Sequence, residues 1–323
     1  MKMKKYLKKI AVISTAAAFF TTTASAIDDG PRMYWNLPQD LNIIQTYAWS
    51  GNGNAVSPSG AQFVEDANVD IKILIFGYNR VLDIAGHTTI LTIALPTGNA
   101  NATLPITYDI GNETVDSTFN QASRGIGDMY IQGTFNIFGG EAVSMKEYMT
   151  TYQQTTLLSV LIGLSIPTGE YHGEDVVNMG LNRWAGRIGL PFVQTLGDWK
   201  PGSITTLEIL PSAWIYSDND DYGSGKREQD PLYTIEAHLT QDLTPQAFVS
   251  LDYLYQTGGK TTDYLAGGLK VEGKDQNANM VGLSVGYMLN QSLQFVFRYA
   301  GTVNQKSDEL DLGLTEFNFN YLF

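Results

Sequence analysis

The sequence predicts an all-β fold, a transmembrane antiparallel β-barrel of about twelve strands with short periplasmic turns and long extracellular loops. Three observations predict it. The chain begins with an export signal, and no later stretch is apolar for the roughly 18 residues that indicate a spanning helix. About twelve segments of roughly ten residues alternate apolar with polar side chains, as strands between lipid and water do.

The first 26 residues match a secretory signal peptide. Five lysines precede a largely apolar run from Ile10 to Phe20, and Ala24-Ser25-Ala26 forms a small-residue cleavage site. The run is about half of the roughly 20 residues that a membrane anchor needs, so we expect cleavage. The predicted organisation is a signal peptide (1–26), a periplasmic N-terminal segment (27–40) and an outer-membrane barrel (41–323).

The composition excludes several classes of function. Without the signal peptide, 15 basic residues remain against 33 acidic ones, a formal charge of about −18. Such a chain is a poor partner for nucleic acid, which binds basic surfaces. The chain has no Cys, which excludes disulfides and thiolate metal sites. We expect no cofactor.

The alternation assigns each strand a lipid face and a lumen face. In the second strand, four apolar residues are predicted to face lipid: Val69, Ile71, Ile73 and Ile75. The two charged residues between them, Asp70 and Lys72, are predicted to face the lumen. The same parity places further ionisable residues of later strands inside: Glu208, Glu236, His238, Asp252, Arg298 and Glu316. We therefore expect a polar lumen with charges of both signs, intermediate in width between eight- and sixteen-stranded barrels.

The connections alternate in length. Short ones are predicted at 83–86, 197–203, 241–246 and 289–292, and long ones at 52–67, 97–126, 167–181, 217–230, 256–277 and 301–308. This alternation is typical of barrels whose termini both lie in the periplasm, which requires an even number of strands. Residues 139–153 form a connection longer than a tight turn.

The last strand alternates aromatic residues with Asn from Phe317 to Phe323. Its rings are predicted to face lipid. We interpret Phe319, Tyr321 and Phe323 as a membrane-assembly signal for the barrel-assembly machinery.

Two groups of side chains each admit two interpretations. Arg183 and Arg187 share parity and are predicted to point inward, with Trp184 outward, beside an acidic loop. The functional hypothesis is that the two arginines form a gate or selectivity filter. The structural hypothesis, which we favour, is that they form ion pairs in the lumen while Trp184 lies at the membrane interface. Tyr34 and Trp35 precede the first strand. We expect them at the inner membrane interface, and a small plug within the lumen is the alternative.

Catalytic and metal sites have weak support. The chain has three His and no Gly-x-Ser-x-Gly motif, so we predict no enzyme and interpret His238 as a hydrogen-bonded lumen residue. Gly258-Gly259-Lys260-Thr261 lacks the earlier glycine of a phosphate-binding loop. A calcium loop is only partly matched at 218–229, where the weak candidates are Asp218, Asp220 and Asp221.

Several motifs together resemble the transporter family named for the meta-pathway of phenol degradation. They are the stretch 33–49, Ile166-Pro167-Thr168-Gly169-Glu170-Tyr171, Asn182-Arg183-Trp184, Asp218-Asn219-Asp220-Asp221-Tyr222-Gly223, the stretch 229–238 and Gly258-Gly259-Lys260. The resemblance implies an outer-membrane barrel of a Gram-negative bacterium, associated with aromatic catabolism. It leaves the solute unnamed.

The expected function is passive uptake of small hydrophobic or aromatic compounds through the lumen, with long outer loops as the gate. The alternative is a non-transporting barrel whose loops serve adhesion or envelope integrity. Expected partners are outer-membrane lipids and lipopolysaccharide, the barrel-assembly machinery and small hydrophobic solutes.

Overall fold

The computed structural model describes residues 22–23, 29–53, 55–56, 62–64, 68–110, 113–175, 177–303 and 311–323. The predicted cleavage site at 24–26 lies outside these residues. Twelve antiparallel passes make up the main sheet, and we number them β1 to β12 in chain order.

The first six passes are β1 (Asn42–Gly53), β2 (Asn68–Ile84), β3 (His87–Ile110), β4 (Met129–Phe138), β5 (Thr156–Ile166) and β6, which is interrupted between Ala185–Gly189 and Phe192–Thr195. The next six are β7 (Thr205–Tyr216), β8 (Leu232–Thr244), β9 (Ala247–Gly258), β10 (Ala278–Met288), β11 (Leu293–Thr302) and β12 (Leu312–Leu322). The break in β6 falls at Leu190-Pro191, because Pro has no N–H to give to a ladder.

Each pass pairs with the next, and β1 pairs with β12, so the sheet closes. In the closing pair, Trp49 lies opposite Glu316 and Gln45 opposite Asn320. A closed sheet leaves no strand edge with unpaired peptide groups, as a hydrocarbon surrounding requires. The predicted twelve-stranded antiparallel barrel is confirmed.

The two ends of the barrel differ. At one end, which we call the turn end, β2–β3, β8–β9 and β10–β11 are joined by two to four residues. The same end holds Leu41 and Phe323 and the β4–β5 connection, which contains helix α1 (Met145–Thr150). Ser144 and Glu147 cap α1 reciprocally, since each side chain accepts from the other's backbone N–H.

The opposite end, which we call the loop end, carries the long connections. Strand Glu113–Ile126 pairs with the outer half of β3, so most of the predicted 97–126 loop is instead a protruding hairpin. Four short strands form a separate sheet: Asn219–Tyr222, Gly225–Gln229, Thr261–Leu265 and Leu269–Glu272, with a 3₁₀ turn at Ala266–Gly268. A second small sheet joins Thr22–Thr23, Ala55–Val56 and Gln62–Val64.

The outer surface of the barrel is a band of exposed apolar side chains, as predicted for a lipid-facing wall. Aromatic residues flank it at the two ends, namely Trp184, Tyr233 and Tyr299 towards the loop end and Tyr78, Tyr287 and Tyr321 towards the turn end. Within the described part of the chain, no helix is both long and apolar enough to cross a bilayer.

The predicted facing of β2 is wrong. Asp70 and Lys72 point outward, and the Val69–Ile75 apolar set is buried inside the barrel. Further along β2, Leu74, Phe76 and Tyr78 are exposed on the outer surface. Side chains of β2 alternate between the same two faces along the whole strand. In its outer third, however, the outward face meets water and the inward face packs against other side chains, as in a soluble sheet. The apolar side chains of this part of β2 therefore face the interior.

Candidate functional site

The N-terminal segment lies inside the lumen. Residues 29–35, 37 and 38 line the same cavity as the inner wall, and the segment contacts β7, β8 and β4, so Tyr34 and Trp35 are not at the membrane interface as expected. Tyr34 is 5% exposed and packs on Leu157, Leu161 and Leu210. The alternative prediction, a small plug, describes this arrangement.

An arginine fastens the segment near the turn end. The Arg32 Nη2 atom lies 2.7 Å from Asp242 Oδ1, and its Nε donates to Thr240 at 3.3 Å. The guanidinium carbon is 4.2 Å from the Trp35 ring centre and 4.1 Å from that of Phe248. The cation is thus held by charge in its plane and by aromatic rings at its faces.

A second ion-pair group joins the segment to the middle of the wall. Arg187 donates to Asp29 at 2.8 Å and to Glu236 at 2.6 Å. The Asp29 N–H donates to the same Glu236 at 2.9 Å, and the Tyr34 hydroxyl donates to Asp29. Arg187 and Glu236 are almost fully buried, and the guanidinium is the shared partner of both carboxylates.

Glu208 binds the segment through hydrogen bonds. Its carboxylate accepts from the Arg32 N–H at 2.8 Å, the Trp35 Nε1 at 2.9 Å and the Thr206 hydroxyl at 3.0 Å. Three donors on one buried carboxylate satisfy it without a cation in direct contact. Glu208 therefore positions the segment.

His238 and Asp252 form a buried pair on β8 and β9. His238 Nδ1 lies 2.8 Å from Asp252 Oδ1, and the Ser250 and Ser284 hydroxyls both donate to Asp252. Arg298 Nε is 3.8 Å from Asp252, and Arg298 Nη1 is 3.9 Å from Glu316. Because both hydroxyls donate to the carboxylate, His238 and Asp252 form a hydrogen-bonded pair on the lumen wall.

Arg183 lies apart, towards the loop end. It is 5% exposed, stacks 4.7 Å from the Tyr216 ring and donates to Gln229. Trp184 points outward with 48% of its surface exposed. Seven residues were predicted to line the lumen or form a gate: Arg183, Arg187, Glu208, Glu236, His238, Asp252 and Arg298. Three of them, Arg187, Glu208 and Glu236, contact the N-terminal segment directly, and a role in gating stays a prediction.

At the loop end, the β5–β6 loop folds inward. Met179 packs among Trp49, Ile73 and Leu314, and Val177 joins an apolar cluster above it. Asp128 holds this loop, because its carboxylate accepts the Gly169 and Leu181 N–H groups at 2.9 and 2.8 Å.

A close backbone approach forms the base of the β5–β6 loop. A Cβ on Gly169 would lie 2.7 Å from backbone atoms of Gly127 and Gly180, so a side chain there would displace the loop. Burial raises the pKa of Tyr171, in the same loop, to about 12, and the Tyr171 hydroxyl donates to the Asp221 carbonyl at 2.9 Å. No sequence pattern predicted a role for Asp128.

The N-terminal segment and the inner wall line a cavity of about 1120 Å³. Its walls carry Trp49, Tyr130, Trp214 and Asn318, and it extends to Trp199 at the turn end. Four rings cluster there: Trp35 and Trp199 lie 5.0 Å apart, Tyr152 and Trp199 6.3 Å, and Tyr148 and Tyr152 5.4 Å between centres. The cavity thus combines aromatic surface with arginines that are each paired with a carboxylate.

The remaining candidates lie elsewhere. Asp218, Asp220 and Asp221 belong to an outer hairpin, where Asp218 pairs with Lys226 at 2.6 Å. Among the described residues no three His or acidic side chains are grouped to hold a metal ion. Phe319, Tyr321 and Phe323 line the outer wall, and Phe319 packs 5.1 Å from Phe295. Their role in assembly stays a prediction.

A known structure shares this architecture. The COG4313 outer membrane channel from Pseudomonas putida F1 superposes with a TM-score of 0.70 at 18% identity, covering 92% of this chain and 100% of that one. The β domain of the Bordetella autotransporter BrkA superposes less well, with a TM-score of 0.46 at 8% identity over 87% of this chain and 98% of that one. None of the curated protein sequences compared matches.

The family comparison covers the motifs between Ile166 and Lys260, whereas the stretch 33–49 precedes the matched residues. A family model matches residues 53–311, which is most of the chain. It covers the barrel from the end of β1 to the connection before β12. The chain belongs to the family described as "Putative MetA-pathway of phenol degradation".

Proposed function

We propose that this barrel lies in the outer membrane of a Gram-negative bacterium and mediates passive uptake of small hydrophobic or aromatic compounds. The observation that carries the proposal is the cavity of about 1120 Å³ with aromatic walls. Arg32, Arg187 and Arg298 each face a carboxylate, so none of these three cations is left without a counter-charge to attract an anionic solute. An uncharged solute then gains apolar contact without displacing an ion pair.

The outer half of the lumen supports the same proposal. Its inward side chains are apolar, among them Ile71, Leu104, Leu254 and Met280. A sugar or an ion would be stripped of water there with few hydrogen bonds in return. Passage of a solute requires the β5–β6 loop to move away from the loop end and the N-terminal segment to move aside towards the turn end. It requires no coupling to an energy source.

Proteoliposomes test the proposal. We expect radiolabelled phenol and toluene to enter vesicles that contain the protein faster than they enter protein-free vesicles of the same lipid, and labelled sugars to enter both at one rate. Equal rates for every solute in the two preparations would overturn the proposal.

The proposed function includes no catalysis. Ser250 and Ser284 donate to Asp252, so their hydroxyls are not arranged as nucleophiles beside His238. The test is lipid hydrolysis by the purified barrel, with His238→Ala as the control. Hydrolysis that disappears in this variant would contradict the proposal.

A second candidate function, adhesion or envelope integrity, is favoured by the outer four-stranded sheet. Arg227 binds Asp263 through two bonds of 2.6 Å and lies 3.6 Å from the Tyr222 ring, so the sheet is rigidly built. Removing residues 261–272 would weaken binding to lipopolysaccharide if the sheet contacts it, and would leave uptake intact. The C-terminal aromatic strand is the proposed contact for the barrel-assembly machinery.

A further inference from the structure

The β5–β6 loop places two apolar side chains inside the barrel. Val177 is fully buried and shares an apolar cluster with Ile71 of β2 and Leu104 of β3. Met179 is 5% exposed and belongs to a second cluster with Ile73 of β2. Connecting loops ordinarily run over the surface of a protein, so these two side chains occupy space that belongs to the lumen.

Met179 lies next to the cavity. Its cluster includes Trp49 and Ile75, and Tyr47 and Ala94 pack against that cluster. These four residues also line the cavity of about 1120 Å³. Met179 therefore adjoins the cavity wall from the side of the loop end.

Aliphatic side chains surround Val177. Its cluster draws on β2, β3, β9, β10, β11 and β12, which is half of the ring of strands. Three of its members are alanines: Ala100, Ala102 and Ala300. Small side chains on the wall leave room for one from the loop, and burying apolar surface there is favourable. Val177 thus takes a place that also suits part of an apolar solute.

Polar contacts hold the loop from outside the lumen. On the protruding hairpin, the Gln121 side chain donates to Asp175 at 2.5 Å and accepts the Val177 N–H at 3.2 Å. Gln121 and Asp175 are only half-buried, so water can replace these bonds when the loop leaves. The apolar contacts of Val177 and Met179 are the part of the attachment that water cannot replace.

We propose that the outer lumen is a binding site for uncharged apolar solutes, which Val177 and Met179 of the chain itself occupy when no solute is bound. The same surface cannot be covered twice, so a solute binds only the state in which the loop is displaced and shifts the barrel towards that state. A sugar or an ion gains little on an aliphatic surface and leaves the loop seated. This inference rests on the proposed function and specifies how the solute is admitted.

Cysteine labelling tests the displacement, because the chain has no Cys of its own. In detergent-solubilised Val177→Cys protein, we expect a water-soluble maleimide to react about tenfold faster when toluene is added, since only the displaced loop exposes the thiol. Glucose should leave the rate unchanged. Met179→Cys repeats the test with Val177 intact.

Val81→Cys is the matched control. Val81 is as fully buried as Val177, but it lies in a cluster with Leu41 and Ile43 at the turn end. Its labelling should stay slow with toluene. A rate that toluene leaves unchanged in both loop variants, or that it raises equally in Val81→Cys, would overturn the inference.

A reversible tether tests whether the loop must leave. In the Gln121→Cys/Asp175→Cys protein, a short bifunctional methanethiosulfonate joins the loop to the hairpin, and dithiothreitol removes it. We expect the bridge to slow toluene entry into proteoliposomes at least tenfold, and dithiothreitol to restore it. A monofunctional methanethiosulfonate controls for modification alone. Undiminished entry through the bridged protein would contradict the inference.

The outcomes separate this inference from the proposed function. If toluene enters vesicles through the protein, but neither exposes the loop cysteines nor is slowed by the bridge, the inference fails and uptake stands. If toluene exposes the loop cysteines but does not cross, displacement of the loop stands and uptake fails. If toluene does neither, both fail.

Discussion

Arg32 and Asp242 join the N-terminal segment to the barrel wall, with 2.7 Å between Nη2 and Oδ1. The pair is largely buried and lies near the turn end, where Asp242 also accepts the Gly202 N–H at 3.0 Å. The guanidinium fits between Trp35 and Phe248. The contact connects residues 210 positions apart and fixes where the segment lies in the lumen.

We expect Arg32→Ala to increase single-channel conductance in planar bilayers. The variant leaves the buried Asp242 carboxylate without its cation, which weakens the hold on the segment by roughly 3–5 kcal/mol. Lys226→Ala is the control, because Lys226 lies on an outer hairpin. An unchanged conductance from a folded Arg32→Ala barrel would show that the segment does not limit passage.

Arg187→Ala should destabilise the barrel by roughly 3–5 kcal/mol, because it leaves the Asp29 and Glu236 carboxylates close together and uncompensated. Arg80→Ala breaks a more exposed pair with Asp40 and should cost about 1 kcal/mol or less. Urea unfolding in lipid vesicles measures both. Similar values for the two variants would refute the assignment of a buried network at Arg187.

The inverted polarity at the outer end of β2 predicts opposite tolerance at adjacent positions. Ile71→Asn replaces a side chain that is 1% exposed and should cost roughly 2–5 kcal/mol. Lys72→Asn changes an outward-facing side chain and should fall within about 0.5 kcal/mol. Urea unfolding again compares them. A larger loss of stability for Lys72→Asn than for Ile71→Asn would instead support the facing of β2 that was predicted from alternation alone.

Glu272 in the outer sheet should titrate well below an ordinary glutamate. Hydrogen bonds from Lys270 and Lys260 lower its pKa to about 2. A carboxyl with a depressed pKa in the folded state stabilises that state above the unfolded pKa of 4.5, and the contribution is lost as the pH falls towards 2. The carboxyl chemical shift followed by NMR gives the pKa, and Lys270→Ala should raise it. A midpoint near 4.5 in the unaltered protein would exclude this ion pair in solution.

Most of the fold could be predicted because lipid and water impose a period of two on the strands between them. The terminal strand from Phe317 to Phe323 and the parity of Glu236 and His238 follow from this rule. The rule assumes lipid outside, so it failed at Val69 and Ile71, which lie beyond the apolar band. Asp70 and Lys72 were a signal of the opposite facing, since two charged residues at the outer end of a strand also suit a surface that faces solvent.

The lumen could not be predicted to the same depth. Arg32 and Asp242, or Asp128 and Leu181, are far apart in sequence, and no local pattern states that they meet. Tyr34 and Trp35 suit an interface or a lumen equally, because both places offer apolar contact with a polar partner.

The amino-acid sequence by itself determined that this chain is a closed antiparallel barrel of about twelve strands with unequal ends, because alternation and loop length are local properties. Only the tertiary structure decided what fills the barrel: the N-terminal segment from one side, the β5–β6 loop from the other, and the cavity between Trp49 and Trp214. Closure brings opposite strands together around a common interior, and the pairing of charges there depends on distances in space.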